Sequence, residues 1–199
     1  MLRTLSFIVM LLLQASFGLA QDSIHSDFLK PRPFVALEVG EALFNSMQSI
    51  SGEVGLRFPN RHQLRLTHMN VWLTEGHLSS GFAGAVKGEG VEGRFLGFEV
   101  FYDFLIWKKG LYLGPSVGYY RNSYTHTKLD SELSNRSATI GAAISFQEID
   151  LFRVKGLYYR VSIPFRTPLN PIEETPMGNA IVSDNRLDNN IWLFIGYEF

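Results

Sequence analysis

Two groups of residues in this 199-residue chain have types and spacings that suggest chemistry. The first is His77-Leu78-Ser79, with Glu75, Glu89 and Glu92 nearby in sequence. A histidine that accepts the hydroxyl proton makes serine a nucleophile toward esters. Five His and 17 Ser occur in the chain. A His-x-Ser pair then arises by chance about 0.4 times, so the motif carries little weight. The second group is a set of charges at alternating positions: Glu38, Glu53, Arg57, Glu99, Asp103, Arg160 and Glu198. Both signs are present, on the face opposite the apolar residues. Such a set reads as a structural salt-bridge network, because buried ions must be paired. The expectation is therefore no catalytic residue, with His77 and Ser79 as the weak alternative.

Other candidates are weaker still. His68 and Asn70 could face an interior and bind a ligand, although a strand histidine is more often structural. Glu173, Glu174, Asp184 and Asp188 fit no calcium-loop spacing, so solvated loop charge is the better reading and no metal is expected. Arg166 and Arg186 could meet lipid phosphates from a rim. The glycines between Gly81 and Gly93 lack the Gly-Lys-Ser/Thr ending of a phosphate loop. No cofactor is expected. There is no Cys, which excludes disulfides and thiolate chemistry, and a net charge of −1 provides no field for nucleic acid.

The elements that carry these residues are strands. Residues 1–20 read as a signal peptide: Arg3, an apolar run over Leu5–Leu13, and Gly18-Leu19-Ala20 before cleavage near Ala20. Residues 21–33, with Pro31 and Pro33, read as a short periplasmic segment. From Phe34 to Phe199 apolar residues alternate with small or polar ones, the period of strands with one apolar face. Eight strands are predicted: 34–44, 51–58, 63–73, 91–107, 111–122, 137–147, 156–165 and 191–199. Links 59–62, 108–110 and 148–155 are short. Links 74–90, 123–136 and 166–189 are long and polar, and 45–50 is intermediate. Even strand count and alternating link length predict an antiparallel up-and-down transmembrane β-barrel over residues 34–199.

The non-apolar face carries Gly40, Gly55, Gly97, Gly114, Gly118, Gly141 and Gly196. Small residues suit the crowded lumen of a narrow barrel better than a solvated face. Aromatics near strand ends (Phe44, Phe58, Trp72, Trp107, Phe146, Phe165, Tyr197 and Phe199) suit interfacial girdles. Two places break the pattern. Glu41 falls on the apolar face of strand one unless Gly40 carries a bulge. Strand three changes parity between Leu66 and Met69, which a bulge near Thr67 would reconcile.

The terminal alternation Ile191, Leu193, Ile195, Tyr197, Phe199 resembles the C-terminal signal of Gram-negative outer-membrane barrels. The architecture of residues 34–199 resembles the small eight-stranded class of the OmpA membrane domain and OmpX. That resemblance implies residence in the outer membrane, with Tyr197 and Phe199 as the signal read by the barrel assembly machinery. It implies outer-membrane lipids and lipopolysaccharide as surroundings, a monomer, and no nucleic-acid partner. It also places no OmpA-type peptidoglycan-binding domain after the barrel. The expectation is a barrel whose lumen is plugged by the charge network, with a structural role or surface interaction through three long extracellular loops. One alternative is a lipid A acyl hydrolase of the PagL type, whose His-x-Ser pair is matched only at His77 and Ser79. Another is an accessory barrel of a secretion system.

Overall fold

The computed structural model describes residues 30–44, 47–79, 85–183, 188–189 and 191–199. The predicted signal peptide and most of the leader lie outside these residues. Twelve strands are present among them. The barrel wall consists of β1 (Arg32–Glu38), β2 (Gly52–Arg57), β3 (Gln63–Leu73), β5 (Val91–Trp107), β6 (Leu111–His126), β7 (Glu132–Ile149), β8 (Leu157–Pro168) and β12 (Trp192–Glu198). Each pairs antiparallel with its neighbour in the chain, and β12 returns to pair with β1. The ring is closed, so neither edge is left without hydrogen-bond partners. The short β11 (Asp188–Asn189) pairs with β8 in the same register as β12, placing Asp188 opposite Arg166 and Trp192 opposite Ser162.

The registers determine the barrel's dimensions. From Phe34 the hydrogen-bonded partners run through Gly55, Arg65, Phe101, Ser116, Gly141 and Arg166 to Asp188. Yet the direct partner of Phe34 on the last strand is Glu198, ten residues beyond Asp188. Eight strands with a shear of ten tilt about 40° and enclose a radius of about 8 Å, a bore that side chains can fill.

Alternation then assigns every residue to one of two surfaces. Val54, Leu56, Leu64, Leu66, Phe98, Val100, Val117, Ile140, Ile144 and Ile195 are exposed on the outer wall. Phe34, Ala36, Met69, Phe101, Tyr120, Ala143, Tyr158, Trp192 and Phe194 are buried inside it, with most of the chain's buried charges. Small residues make room for these rings. A Cβ on Gly97 would lie 2.4 Å from the Tyr120 ring, and one on Gly55 would lie 2.4 Å from the Phe34 ring.

Several boundaries differ from the sequence reading. β1 ends at Glu38, six residues earlier than expected, and Gly40–Phe44 forms a short helix, α1. Glu41 therefore lies on a helix and is buried; it is not on the outer wall, and no bulge is involved. β3 also carries no bulge, and its pairing with β2 and β5 is unbroken from Gln63 to Leu73. Leu64 and Leu66 face out while Met69 and Val71 face in, because above Thr67 the lumen itself becomes apolar. An irregularity lies instead near Ile106, between Leu105 and Trp107.

The loop end is more ordered than the polar sequence implied. The expected loop at 123–136 is mostly strand: β6 continues to His126 and β7 starts at Glu132. The other two long links form a sheet of their own, β4 (Val86–Lys87), β10 (Ala180–Val182) and β9 (Thr175–Met177). Leu78, Val91, Tyr124, Ile172, Met177 and Val182 pack beneath it as a second apolar core. At the other end the links are short turns, and Gly110 (φ 102°) sits where a Cβ would lie 2.0 Å from the Gln147 carbonyl oxygen.

Replacing Gly97 with Val should block the packing of Tyr120. We expect G97V to lose the compact, heat-modifiable gel form that folded barrels show in detergent; retention of that form at wild-type yield would contradict the packing described.

Candidate functional site

The lumen holds the densest chemistry in the molecule. At its centre Glu53, from β2, lies between two arginines. Arg65 Nη1 donates to Glu53 Oε2 at 2.9 Å, and Arg160 Nη1 donates to Glu53 Oε1 at 2.8 Å. Arg65 also turns its Nε and Nη2 toward the carboxylate of Asp103, at 2.5 and 3.2 Å. This two-point contact holds the guanidinium plane in place. Arg160 Nη2 reaches Gln147 Oε1 at 2.8 Å and also Gln63 Oε1; Gln63 in turn donates to Gln147 at 2.9 Å. The Tyr158 hydroxyl donates to Glu53 at 3.4 Å. Arg65 and Arg160 are fully buried.

A second cluster lies nearer the loop end. Tyr120 donates its hydroxyl to Glu99, and Arg166 Nη1 lies 3.4 Å from the same carboxylate oxygen. The Arg166 guanidinium stands about 5 Å from the ring centres of Phe95, Tyr120 and Trp192. Phe95 and Tyr120 are stacked, with centroids 4.3 Å apart. Arg65 lies similarly 4.1 Å over Phe101. Cation–π contact gives these desolvated cations an additional partner. At the turn end Glu198 pairs with Arg57 at 2.8 Å and with the half-exposed Arg32 at 3.4 Å.

Glu38 is held differently. Its carboxylate accepts from the backbone N–H groups of Gly40, Glu41 and Leu193, at 2.9, 3.0 and 3.3 Å. It thereby caps the start of α1 and ties β1 to β12.

The seven charges singled out in sequence thus all lie on the lumen side, and six of them have a partner of opposite charge within 3.4 Å. Two arginines were missed. Arg65 sits in the strand whose parity was misread. Arg166, read in the sequence as a rim residue that could meet lipid phosphates, is buried inside the wall. Alternation from Arg160 through Ser162 and Pro164 would have placed Arg166 inward. His68 and Asn70 face outward: His68 packs on Phe98 and Asn70 accepts from Arg94. They line no interior site.

The His-x-Ser pair lies on the short helix α2 (Glu75–Leu78) and its C-terminal cap. Thr74 caps the start by accepting from His77 N at 3.3 Å, and Ser79 Oγ donates to the Glu75 carbonyl at 2.9 Å. Among the described residues no three His, Asp or Glu side chains converge as a metal site would require. Glu174 forms an exposed pair with Lys87 at 2.9 Å. Arg186 and Asp184 lie outside the described residues, as do the side chains of Asp188 and Phe44.

No protein-family model and no curated protein match the chain. Similar solved structures include the following. The N-terminal β-barrel domain of Pseudomonas aeruginosa OprF is 13% identical, with a TM-score of 0.42, 86% of this chain and 98% of that chain covered. Ail, the attachment invasion locus protein of Yersinia pestis, is 11% identical, with a TM-score of 0.40 and coverage of 85% and 97%. A major outer membrane protein of Thermus thermophilus is 13% identical, with a TM-score of 0.41 and coverage of 85% and 99%.

Breaking a buried pair leaves its partner charged and alone. Arg65→Leu should therefore cost about 3–5 kcal/mol, because it strands Asp103 and half of Glu53. Arg32→Ala, at the solvated rim, should cost about 0–1 kcal/mol. Urea unfolding of the full chain in lipid vesicles would check both; equal losses would contradict the burial order.

Proposed function

We propose that the chain is an integral outer-membrane barrel with a plugged lumen. Its role is structural or in surface interaction through the loop end, with no catalytic step. The observation that carries this reading is the inverted polarity of the wall. From the turn end through the middle of the barrel, ionic side chains fill the inside while the outside is apolar. On β5 that surface runs from Leu96 to Ile106. Ten residues at the strand tilt span about 25 Å, the height of the apolar band in outer-membrane barrels. In water such a surface would drive aggregation. In a bilayer it meets hydrocarbon, and the closed ladder pairs each wall strand with a neighbour on both sides.

Aromatics mark the lower edge of the band. Trp107, Tyr197 and Phe199 are exposed there, and Tyr197 and Phe199 meet edge to face with centroids 5.2 Å apart. Phe199 N donates to the Pro33 carbonyl at 3.0 Å, so the terminal strand closes the ring at the same rim. This supports the reading of Tyr197 and Phe199 as an assembly signal. The turn end then faces the periplasm and the capped loop end faces the exterior. Outer-membrane lipids and lipopolysaccharide surround the wall of a monomer.

The lumen supports a closed pore. Arg65, Arg160, Glu53, Gln63 and Phe101 meet across it with no exposed surface among them beyond 2%. In planar bilayers we expect no sustained conductance from the purified protein. Stable openings of nanosiemens size would overturn the plug. Deleting Phe199 should lower the level of folded protein in outer-membrane fractions severalfold, because it removes the last ring contact; unchanged levels would count against the assembly role.

A further inference from the structure

The outer wall is apolar only up to one level. On β5, β6 and β7 the outward rungs Val100–Val117–Ile140 and Phe98–Tyr119–Ala138 are followed by Leu96–Arg121–Arg136, and then by Arg94–Ser123–Ser134. Three arginines therefore stand on three adjacent strands, immediately above the apolar band and outside the barrel. All three are exposed. Trp72 shares the rung of Arg94 on β3, at the height where indole rings favour a lipid headgroup boundary.

The arrangement is unfavourable on its own. Arg121 and Arg136 are directly opposite each other in the ladder. Like charges facing across two strands repel and destabilise the pair. Among the described residues none of the three arginines pairs with a carboxylate. Their contacts instead orient them: Arg94 Nε donates to Asn70 Oδ1 at 2.9 Å, and Arg121 Nε donates to Ser134 Oγ at 3.1 Å. Neither bond uses the terminal guanidinium nitrogens. Arg94, Leu96, Arg121 and Ser123 line a shallow cleft between the two strands. The nearest outward carboxylates in these strands, Glu92 and Glu132, flank Thr125 one rung further from the band. A multivalent anion is thus favoured at the arginine rungs and disfavoured above them.

We propose that Arg94, Arg121 and Arg136 bind the phosphate group of an anionic membrane lipid in the leaflet surrounding the loop end. The acyl chains of that lipid would lie along Phe98, Tyr119 and Ile140, and its phosphate would neutralise the facing arginines. Guanidinium suits this role because it offers two parallel donors to a phosphate. The site rests on the outer-membrane reading above, since only insertion brings a lipid phosphate to this height.

The test uses the full-length mature chain folded into neutral phosphatidylcholine vesicles with and without added lipopolysaccharide. Protease protection of the wall in neutral vesicles reports insertion independently of the site. Thermal unfolding and native mass spectrometry then report lipid binding. We expect lipopolysaccharide to raise the unfolding temperature of the wild type. R121Q/R136Q should insert normally but bind lipopolysaccharide at least about tenfold more weakly. K108Q/K109Q, at the opposite rim, should behave as the wild type. Equal binding by R121Q/R136Q and wild type would overturn the site, as would no effect of lipopolysaccharide on an inserted wild type. Equal stabilisation by inorganic phosphate would overturn the assignment to a lipid. Failure to insert in neutral vesicles would overturn the membrane reading and the site with it.

Discussion

In a closed ring of eight strands, each side chain must point either into a narrow bore or out from the wall. The other main features follow from this division. The shear of ten sets a radius of about 8 Å, too small for a water column once side chains are present. Charges on the inner face must then satisfy one another, and Glu53 does so by bridging Arg65 and Arg160. Glycines on the same face are needed because rings such as Phe34 and Tyr120 lie flat across neighbouring strands. Outside, the same closure removes free edges and leaves a surface defined by its side chains alone.

The lumen is graded along its axis. The turn end and the middle are ionic, with Glu198, Arg57, Glu53, Arg65 and Asp103 in successive layers. Toward the loop end it becomes aromatic and apolar, with Tyr120, Phe95, Trp192, Phe194, Met69 and Val71. Arg166 lies at the boundary, paired with Glu99 and surrounded by rings. Above it the small sheet formed by β4, β9 and β10 rests on a separate apolar core. Leu73 packs against both cores, so barrel and cap are continuous. The surface presented at the loop end is therefore a built one, formed by paired strands and by α2.

Strand boundaries were most legible where one face is apolar and the other polar or small. Gln63–Leu73 and Val91–Trp107 were read at their true limits. Legibility failed where that contrast ends. β6 and β7 continue beyond the band with polar residues on their outer face, and the sequence there looks like a loop. Val39–Phe44 keeps an alternating pattern, but the Glu38 carboxylate accepts the backbone N–H groups of Gly40 and Glu41 and turns the chain into a helix. In β3 the parity change came from the lumen becoming apolar above Thr67, so Met69 and Val71 imitated outer-wall residues.

The terminal alternation Ile191, Leu193, Ile195, Tyr197, Phe199 and its counterparts in the other strands marked out the strands and their two faces, because period two separates the faces of a strand without reference to any partner, and strand count, link lengths and the small residues of the polar face gave the barrel class. The identities of the lumen charges were largely determined in the same way. Their pairing was not. Which carboxylate meets which arginine depends on register and shear, and these are set only when β12 finds β1 and the ring closes. The tertiary structure alone therefore decided that Glu53 is shared by Arg65 and Arg160. It also brought Arg94, Arg121 and Arg136 from three strands to adjacent rungs of the outer wall.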